Sequence, residues 1–427
     1  MSKPGDRVKV SAKGRTEEGI LIPSPEKDVV IIKLDNGYNM GFKKKDVKEI
    51  KVLKKGVSSK TVKKKMVKNK SLPTIAILHT GGTIASKVDY RTGGVASEFS
   101  PEELISLFPE LSSIANIESE LIAQMWSDDL RFSHFTLIAK TIEKYVKKGV
   151  DGVIIGIGTD NLSVASAALS FIIESSPIPI VFVGAQRSSD RGSSDAAMNL
   201  ICAAEFAKSD FGGVAICMHN SSSDNSCVIL PACKTYKLHS SRRDAFQAIN
   251  DSALALVDYK TRKITWKKKK YVKRSEKLVL KSGMEDKVGL LKVHVNMQPE
   301  QFSFYKGYKG LVIEGTGLGH TPGQVPNNLC KIHKKIYPAI RSLVDSGCVV
   351  VMTTQCLFGS VNMNVYDKGR DLLELGVISG KDMLANTAFV KLSWLLANYA
   401  KDVKELVGKD LRGEINSNIS YEEDFVK

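Results

Sequence analysis

Two threonines follow short apolar runs, and a glycine lies directly before each threonine. Thr83 follows two glycines after the run 74–78, and Thr159 follows Gly158 after the run 152–157. Such runs are typical of strands buried on both faces of a parallel sheet, and open α/β sheets bind ligands at the carboxyl ends of their strands. Glycine also lets a ligand approach backbone amides closely. The two threonines are therefore candidate nucleophiles, and an ordinary glycine turn is the alternative.

A threonine hydroxyl is a poor nucleophile unless a base lies beside it. Asp160 follows Thr159 directly, and Lys237 lies in the polar stretch 234–246. A lysine whose pKa is lowered by burial or by a neighbouring cation can accept a proton, and a carboxylate can orient it. Thr159, Asp160 and Lys237 could fill these three roles, with Thr83 as a second hydroxyl. Taken alone, these residues leave acyl transfer as one of several chemistries.

Other site types have weaker support. The glycines at 156 and 158 lack the third glycine of a dinucleotide fingerprint, and no glycine loop is followed by a Walker lysine. The seven histidines are dispersed, and the seven cysteines show no Cys-x-x-Cys spacing. We therefore expect no metal or cofactor in this chain, and reduced, mostly buried cysteines. No apolar run reaches membrane-spanning length, and no signal-peptide core is present, which predicts a cytoplasmic protein.

Positive charge is concentrated at the front of the chain. Of the formal net charge of +16, residues 1–70 carry +12, because they hold 20 Lys or Arg against 8 Asp or Glu. Such a region favours an anionic partner, with RNA first. A solvated lysine face without a partner is the alternative.

The runs of apolar residues and turns divide the chain into six parts. We predict a small SH3-like β-barrel module (1–52), a lysine-rich linker (53–72), a first α/β domain with the catalytic residues (73–258), a basic connection (259–285), a second α/β domain (286–410) and a tail (411–427). Alternating strands and helices predict parallel sheets in both α/β domains. An Asn-Gly turn at 36–37 and a capping box at 100–103 are local signals of a hairpin and a helix. The polar tail should be loose unless a partner orders it.

Several motifs together resemble the L-asparaginase/glutaminase family. They are the segment 80–86, the segment 158–160, the segment 184–187 and Lys237, in the order and at the spacing of that family. The resemblance implies an asparaginase-like core of two α/β domains. The β module and the segments 88–93, 239–246, 314–322 and 361–363 are similar to a narrower branch, the archaeal glutamyl-tRNA(Gln) amidotransferases.

The resemblance implies roles for individual residues. Thr83 and Thr159 correspond to the paired catalytic threonines of the family, and Asp160 and Lys237 assist Thr159. Which threonine attacks the amide stays open.

Three further positions correspond to substrate contacts. Tyr90 matches a tyrosine on the flap over the site, and Ser127 and Asp128 match the segment that holds the α-carboxylate and α-amino group of the substrate. A turn aromatic and a helix cap are the alternatives for these positions.

By the same resemblance, the chain hydrolyses glutamine and delivers ammonia to a partner, the E-type subunit of the amidotransferase. That partner would bind tRNA(Gln), ATP and magnesium, and this chain would form a homodimer within a heterotetramer. Two alternatives stay open: a free-standing L-asparaginase, and a non-catalytic scaffold with a decayed site. Ile157 and Asn161 favour decay, because the family usually has histidine and threonine there, and Leu162 replaces a methionine.

Overall fold

The computed structural model describes residues 2–3, 5–22, 24, 27–34, 39–55, 69–81, 87–89, 94–96, 107–187 and 194–418. Its first unit consists of β1 (Arg7–Ala12), β2 (Arg15–Ile22), β3 (Val29–Lys33), β4 (Asn39–Lys43) and β5 (Val47–Lys54). These strands form an antiparallel sheet in the order β4-β3-β2-β1-β5, and a 3-10 turn joins β4 to β5. The predicted small β unit is confirmed.

The small sheet buries one side of each strand. Val8, Val10 and Ile32 are fully buried, because alternate residues of a strand face the same side. Lys54 pairs with Arg7, so β5 runs two residues into the segment assigned to the linker. The predicted Asn-Gly turn lies outside the described residues.

A second, larger sheet begins after the linker. The strands in this part are β6 (Thr74–His79), β7 (Lys87–Asp89), β8 (Gly94–Ala96), β9 (Asn116–Leu121), β10 (Gly152–Gly156), β11 (Ile173–Ser175), β12 (Ile180–Val183), β13 (Val214–His219), β14 (Ser226–Pro231), β15 (Thr235–Lys237), β16 (Phe246–Ala248), β17 (Ala255–Asp258), β18 (Ile264–Trp266) and β19 (Val279–Leu280). The sheet order is β18-β17-β14-β13-β12-β10-β6-β9. β13, β12, β10, β6 and β9 are parallel neighbours, which confirms the predicted parallel sheet for these five strands.

The other three strands of this sheet are antiparallel, contrary to the expectation of a wholly parallel sheet. β14 pairs antiparallel with β13, β17 with β14, and β18 with β17. Short connections explain two of the three pairings, since only residues 220–225 separate β13 from β14 and only 259–263 separate β17 from β18. A parallel crossover needs a connection of a dozen or more residues.

Helices cover both faces of this sheet: α1 (Leu111–Ile114), α2 (Phe132–Lys147), α3 (Leu162–Ile172) and α4 (Ala196–Phe206). Ala76 and Leu78 of β6 pack in one core with α2 and α3, and Ile75 and Ile77 pack in the other core with α4. Burial on both faces explains why β6 is continuously apolar. The predicted capping box lies outside the described residues.

The basic segment 259–285, predicted as the connection between the two α/β domains, contains paired strands. β18 belongs to the large sheet, and β19 pairs with β11. The rings of Trp266 and Tyr271 stack with centroids 3.6 Å apart. Strand pairing and aromatic stacking therefore attach this lysine-rich segment to the first α/β domain.

The second α/β domain is a smaller parallel sheet, β20 (Val288–Lys292), β21 (Gly310–Gly315), β22 (Val349–Thr354) and β23 (Ile378–Ser379), paired in that order. Its helices are α5 (Pro299–Ser303), α6 (Ile336–Asp345), α7 (Asp367–Glu374), α8 (Ala385–Asn398) and α9 (Val403–Leu406). A 3-10 helix, Asn328–Lys335, precedes α6.

The two α/β domains share a core and a buried ion pair. The rings of Phe171 on α3 and Trp394 on α8 lie 5.7 Å apart within one apolar cluster. Lys234, just before β15, donates to Asp382 of the second domain at 2.5 Å, and both side chains are at most 1% exposed. The domains are therefore joined beside the strand that carries Lys237.

The first residues of the tail are packed, contrary to the expectation of a loose segment. Glu414 pairs with Lys391 of α8 at 2.5 Å, and both side chains are fully buried. The Glu414 carboxylate also accepts the backbone N–H of Leu411 at 3.0 Å. A buried carboxylate with these partners fixes the chain locally, whereas residues 419–427 lie outside the described part.

We predict that Glu414→Gln destabilises the protein by about 3–5 kcal/mol, because it leaves the Lys391 ammonium buried without its counter-charge. Glu405→Gln is the matched control, since the Glu405–Lys409 pair is exposed, and it should change the stability far less than Glu414→Gln. Urea unfolding of both variants measures the two values. Equal losses would show that burial does not set the strength of the Glu414 pair.

Candidate active site

The carboxyl ends of two neighbouring strands meet at one edge of the large sheet. β6 pairs with β10 with His79 opposite Gly156, and the Thr80 amide donates to the Gly156 carbonyl at 3.0 Å. Thr159 lies three residues beyond β10. Thr83 and Tyr90, both predicted as site residues, lie outside the described residues.

Thr159 is held in a tight space. Its residue surface is 9% exposed. A Cβ at Gly184, which follows β12, would lie 2.9 Å from the Thr159 Cγ2 atom. A Cβ at Gly158 would lie 2.9 Å from the Ser127 hydroxyl. Both glycines are therefore required by close packing around the candidate nucleophile.

Lys237 lies directly against Thr159. Its Nζ donates to the Thr159 hydroxyl oxygen at 2.9 Å and to an Asp160 carboxylate oxygen at 2.7 Å. The Lys237 side chain is 12% exposed, whereas that of Asp160 is 64% exposed. Lys237 is thus within hydrogen-bond distance of both Thr159 and Asp160, as the sequence suggested, and Thr159 has a potential proton acceptor beside it.

The position of Lys237 follows from the short strand β15. Lys237 pairs with Phe246 of β16, and Phe246 is fully buried. At the other end of β15, Thr387 of the second domain donates to the Cys233 carbonyl at 2.9 Å. Together with the Lys234–Asp382 ion pair, these contacts fix the backbone from which the Lys237 side chain extends.

Gln186 is a further site residue, which sequence reasoning placed in a motif without giving it a role. Its Oε1 lies 3.5 Å from the Thr159 hydroxyl, and its buried Nε2 has no partner among the described residues. The fully buried Asp195 carboxylate accepts the backbone amides of Gln186 and Arg187, each at 3.0 Å. Gln186 therefore presents an amide donor beside the candidate nucleophile.

Ser127 and Asp128 form part of a 3-10 turn next to this group. Ser127 is buried, and its hydroxyl and carbonyl accept the Asn161 backbone and side-chain amides at 3.3 and 3.0 Å. Asp128 is exposed. The structure thus brings Ser127 to the residues around Thr159 and leaves Asp128 facing solvent.

Comparison with known proteins gives the chain a family. The family described as "Asparaginase, N-terminal" matches residues 74–271, "Glutaminase/Asparaginase C-terminal domain" matches 287–407, and "GatD N-terminal domain" matches 2–53. The D-type subunit of glutamyl-tRNA(Gln) amidotransferase from Archaeoglobus fulgidus is 44% identical over 98% of this chain and 96% of its own. The same subunit of Pyrococcus furiosus is 46% identical over 93% of this chain and 90% of its own.

The chain belongs to the family of D-type glutamyl-tRNA(Gln) amidotransferase subunits. Among solved structures, the L-asparaginase of Thermococcus kodakarensis has a TM-score of 0.70 at 27% identity and covers 81% of this chain and 100% of its own. L-asparaginase I of Vibrio cholerae has a TM-score of 0.66 at 25% identity and covers 81% of this chain and 99% of its own. The asparaginase-like fold is confirmed.

Two of the three departures from the asparaginase motif, Ile157 and Asn161, have structural roles in this amidotransferase subunit. Ile157 is fully buried in the core with α2 and α3, and Asn161 holds Ser127 through two hydrogen bonds. Neither change removes Thr159, Asp160 or Lys237.

Other site types find no support in the described ranges. No group of three or more His, Cys, Asp or Glu could hold a metal ion there. No helix in those ranges is long and apolar enough to cross a membrane. Five cysteines are buried, whereas Cys330 is half-buried and Cys356 is exposed.

His79 is a buried histidine at the edge of this site. It is 1% exposed, and neither ring nitrogen has a partner among the described residues. Burial lowers the pKa of His79 from 6.5 to about 4. The imidazole is therefore neutral in the folded protein at physiological pH, and its protonation would place a charge in a buried position.

We predict that His79 makes the fold acid-sensitive. Because its folded pKa lies below the unfolded value, the unfolded chain takes up the proton first, and stability falls as pH decreases from about 6.5 towards 4. Between pH 7 and 5 this loss amounts to about 2 kcal/mol. Urea unfolding of His79→Leu at the two pH values should show a correspondingly smaller loss. His294→Leu on the exposed surface is the control, and an unchanged loss in His79→Leu would disprove the effect.

Proposed function

We propose that the chain is a glutaminase subunit that supplies ammonia to a tRNA-dependent amidotransferase. The observation that carries this proposal is the 2.9 Å contact between Lys237 Nζ and the Thr159 hydroxyl at the carboxyl edge of the sheet. Membership of the D-type subunit family supports the same assignment, since the relatives are named glutamyl-tRNA(Gln) amidotransferase subunits and match over nearly their full length.

In this proposal, a threonine hydroxyl attacks the side-chain amide carbon of glutamine. Lys237 in its neutral form accepts the hydroxyl proton, and Asp160 orients the amine. Backbone amides of the glycine turns stabilise the oxyanion of the tetrahedral intermediate. Collapse of the intermediate breaks the C–N bond, the leaving nitrogen takes a proton and departs as ammonia, and an ester to threonine remains. Water then hydrolyses the ester to glutamate and restores the hydroxyl.

The roles of the remaining predicted residues complete this proposal. Ser127 and Asp128 would hold the α-carboxylate and α-amino groups, and Tyr90 would close over the substrate near Thr83. Thr83 is the second candidate nucleophile. Gln186 Nε2, a buried donor without a partner in the described ranges, would donate to the substrate.

We further propose that the ammonia passes to the E-type partner of the complex, which binds tRNA(Gln), ATP and magnesium. This chain itself would need no cofactor, and it would act in the cytoplasm as a homodimer within a heterotetramer. A glutamine and asparagine hydrolysis assay with and without the partner tests these statements. Hydrolysis of asparagine alone would favour a free-standing asparaginase, and no hydrolysis in the full complex would favour a scaffold.

We predict that Thr159→Ala reduces glutamine hydrolysis to background while the thermal midpoint changes little. Thr265→Ala, on the exposed edge strand β18, is the matched control and should keep full activity. If hydrolysis by Thr83→Ala also falls to background, both threonine hydroxyls take part in the reaction. Near-normal turnover by Thr159→Ala would remove Thr159 from the mechanism.

A separate prediction distinguishes a proton acceptor from a fixed charge at position 237. Arginine keeps the charge but cannot lose a proton, so Lys237→Arg should lower the rate by about 10²–10⁴-fold, as for loss of a general base. Lys306→Arg, at an exposed position, controls for the substitution itself. If Lys237→Arg keeps most of the activity, Lys237 acts only as a charge partner.

A further inference from the structure

The lysine-rich segment after β18 begins at the edge of the large sheet opposite the candidate active site. Trp266, the last residue of β18, pairs with Ala255, the first residue of β17. Because β17 is antiparallel to β14 and β14 is antiparallel to β13, β17 and β13 start at the same edge. This is the edge where the parallel strands begin, whereas Thr159 lies beyond the edge where they end.

The segment then follows that edge across the sheet. The Val272 carbonyl accepts the Gly212 amide at 3.0 Å, just before β13. The Arg274 guanidinium donates to the Asp151 carbonyl at 3.1 Å, just before β10. The path from β18 to β10 crosses five strand intervals, or about 24 Å at the usual strand spacing.

Aromatic and ionic contacts hold this path in place. Trp266 and Tyr271 stack with an interplanar angle of 1°. The Lys273 ammonium lies 4.0 Å from the centre of the Tyr271 ring and pairs with Asp210. The stack therefore fixes both ends of the four-lysine run 267–270.

Most of the charge on this run is uncompensated. Lys267, Lys269 and Lys270 are exposed, and in the part of the chain that the structure describes none of them pairs with a carboxylate. Lys268 alone is neutralised, by Asp251 at 2.6 Å. The segment 267–277 holds seven basic residues and one acid.

A second source of positive charge reaches the same edge. Lys70 is exposed and lies four residues before β6. The Thr74 amide, at the start of β6, donates to the Asp151 carboxylate at 2.8 Å, and the Asp151 carbonyl accepts from Arg274. Cations from parts of the sequence about two hundred residues apart thus share one edge.

We propose that this basic edge, formed by Lys70, Lys267, Lys269 and Lys270 and held by Lys273 and Arg274, binds the phosphate backbone of tRNA. The identity of the RNA rests on the function proposed above. Lysine heads are mobile point charges that suit phosphates, whereas lysine is depleted from protein–protein interfaces. An extended row of free lysines therefore favours RNA over an acidic protein surface.

The basic edge lies at the opposite side of the sheet from Thr159. RNA binding and glutamine hydrolysis can therefore be measured as separate effects of a substitution. Thr159 follows the end of β10, whereas Asp151 and its contact to Arg274 precede the start of the same strand. Neutralising the lysines should therefore weaken RNA binding and leave glutamine turnover unchanged.

The test measures the affinity of the full chain for a labelled tRNA(Gln) transcript over a salt series. Each lysine–phosphate contact adds to the slope of log affinity against log salt by about 0.7–0.9. The triple variant Lys267→Ser, Lys269→Ser and Lys270→Ser should lower this slope by about 2 and weaken binding at low salt by about tenfold or more. Lys331→Ser, Lys334→Ser and Lys335→Ser, at exposed positions in the second domain, form the matched control with the same change in charge.

A decrease confined to the first variant, with unchanged glutamine hydrolysis and thermal midpoint, supports the proposal. Equal slopes in all proteins, or equal losses in both variants, overturn it. Weakened assembly with the E-type partner at unchanged RNA affinity also overturns it and assigns the edge to a protein contact. If the complex with the partner hydrolyses no glutamine and the chain still shows the selective RNA effect, the glutaminase function is refuted and the proposal for the basic edge stands.

Discussion

The position of one ammonium group, Lys237 Nζ, depends on how firmly a three-residue strand is held. A free lysine side chain samples many rotamers, and ordering it costs up to about 2 kcal/mol. Here Nζ meets both the Thr159 hydroxyl and the Asp160 carboxylate. Because the fully buried Lys234–Asp382 pair lies three residues before it, the second domain fixes Lys237. Asp382 thus acts on the site only through the backbone of β15.

A chain of polar groups, buried at Asp195, Asn199 and His219 and exposed at Asp224, connects Gln186 to the loop after Lys237. The Asp195 carboxylate, which holds the Gln186 amide, also accepts the side-chain amide of Asn199 at 3.1 Å. The Asn199 oxygen lies 2.6 Å from His219 Nδ1, and His219 Nε2 lies 3.2 Å from Asp224. Asp224 in turn pairs with Arg243 on the loop after Lys237. Hydrogen bonds and an ion pair thus link the backbone of Gln186 to the loop that follows Lys237.

The sequence predicts the buried central strands and the residues around Thr159 better than it predicts the short edge strand β18 and the buried ion pairs. β6, β10, β12 and β13 are buried on both faces, and their continuous apolar runs have few other interpretations. Thr159, Asp160 and Lys237 are marked by glycine turns and a family motif. β18, in contrast, is a three-residue strand beside lysines that depends on its pairing with β17. Asp382 and Glu414 look like ordinary surface charges in sequence, because their partners lie 148 and 23 residues away and only the fold buries them.

The two edges of the large sheet have opposite chemical character for one topological reason. Parallel strands place all their carboxyl ends at one edge, where Thr159 follows Gly158 and contacts Lys237. The return connections and the linker must therefore enter at the other edge, where Arg274 meets Asp151 and Asp151 meets Thr74. Lysines in those connecting segments accumulate there without entering the core. The parallel sheet itself thus separates the candidate active site from the lysine-rich surface at its opposite edge.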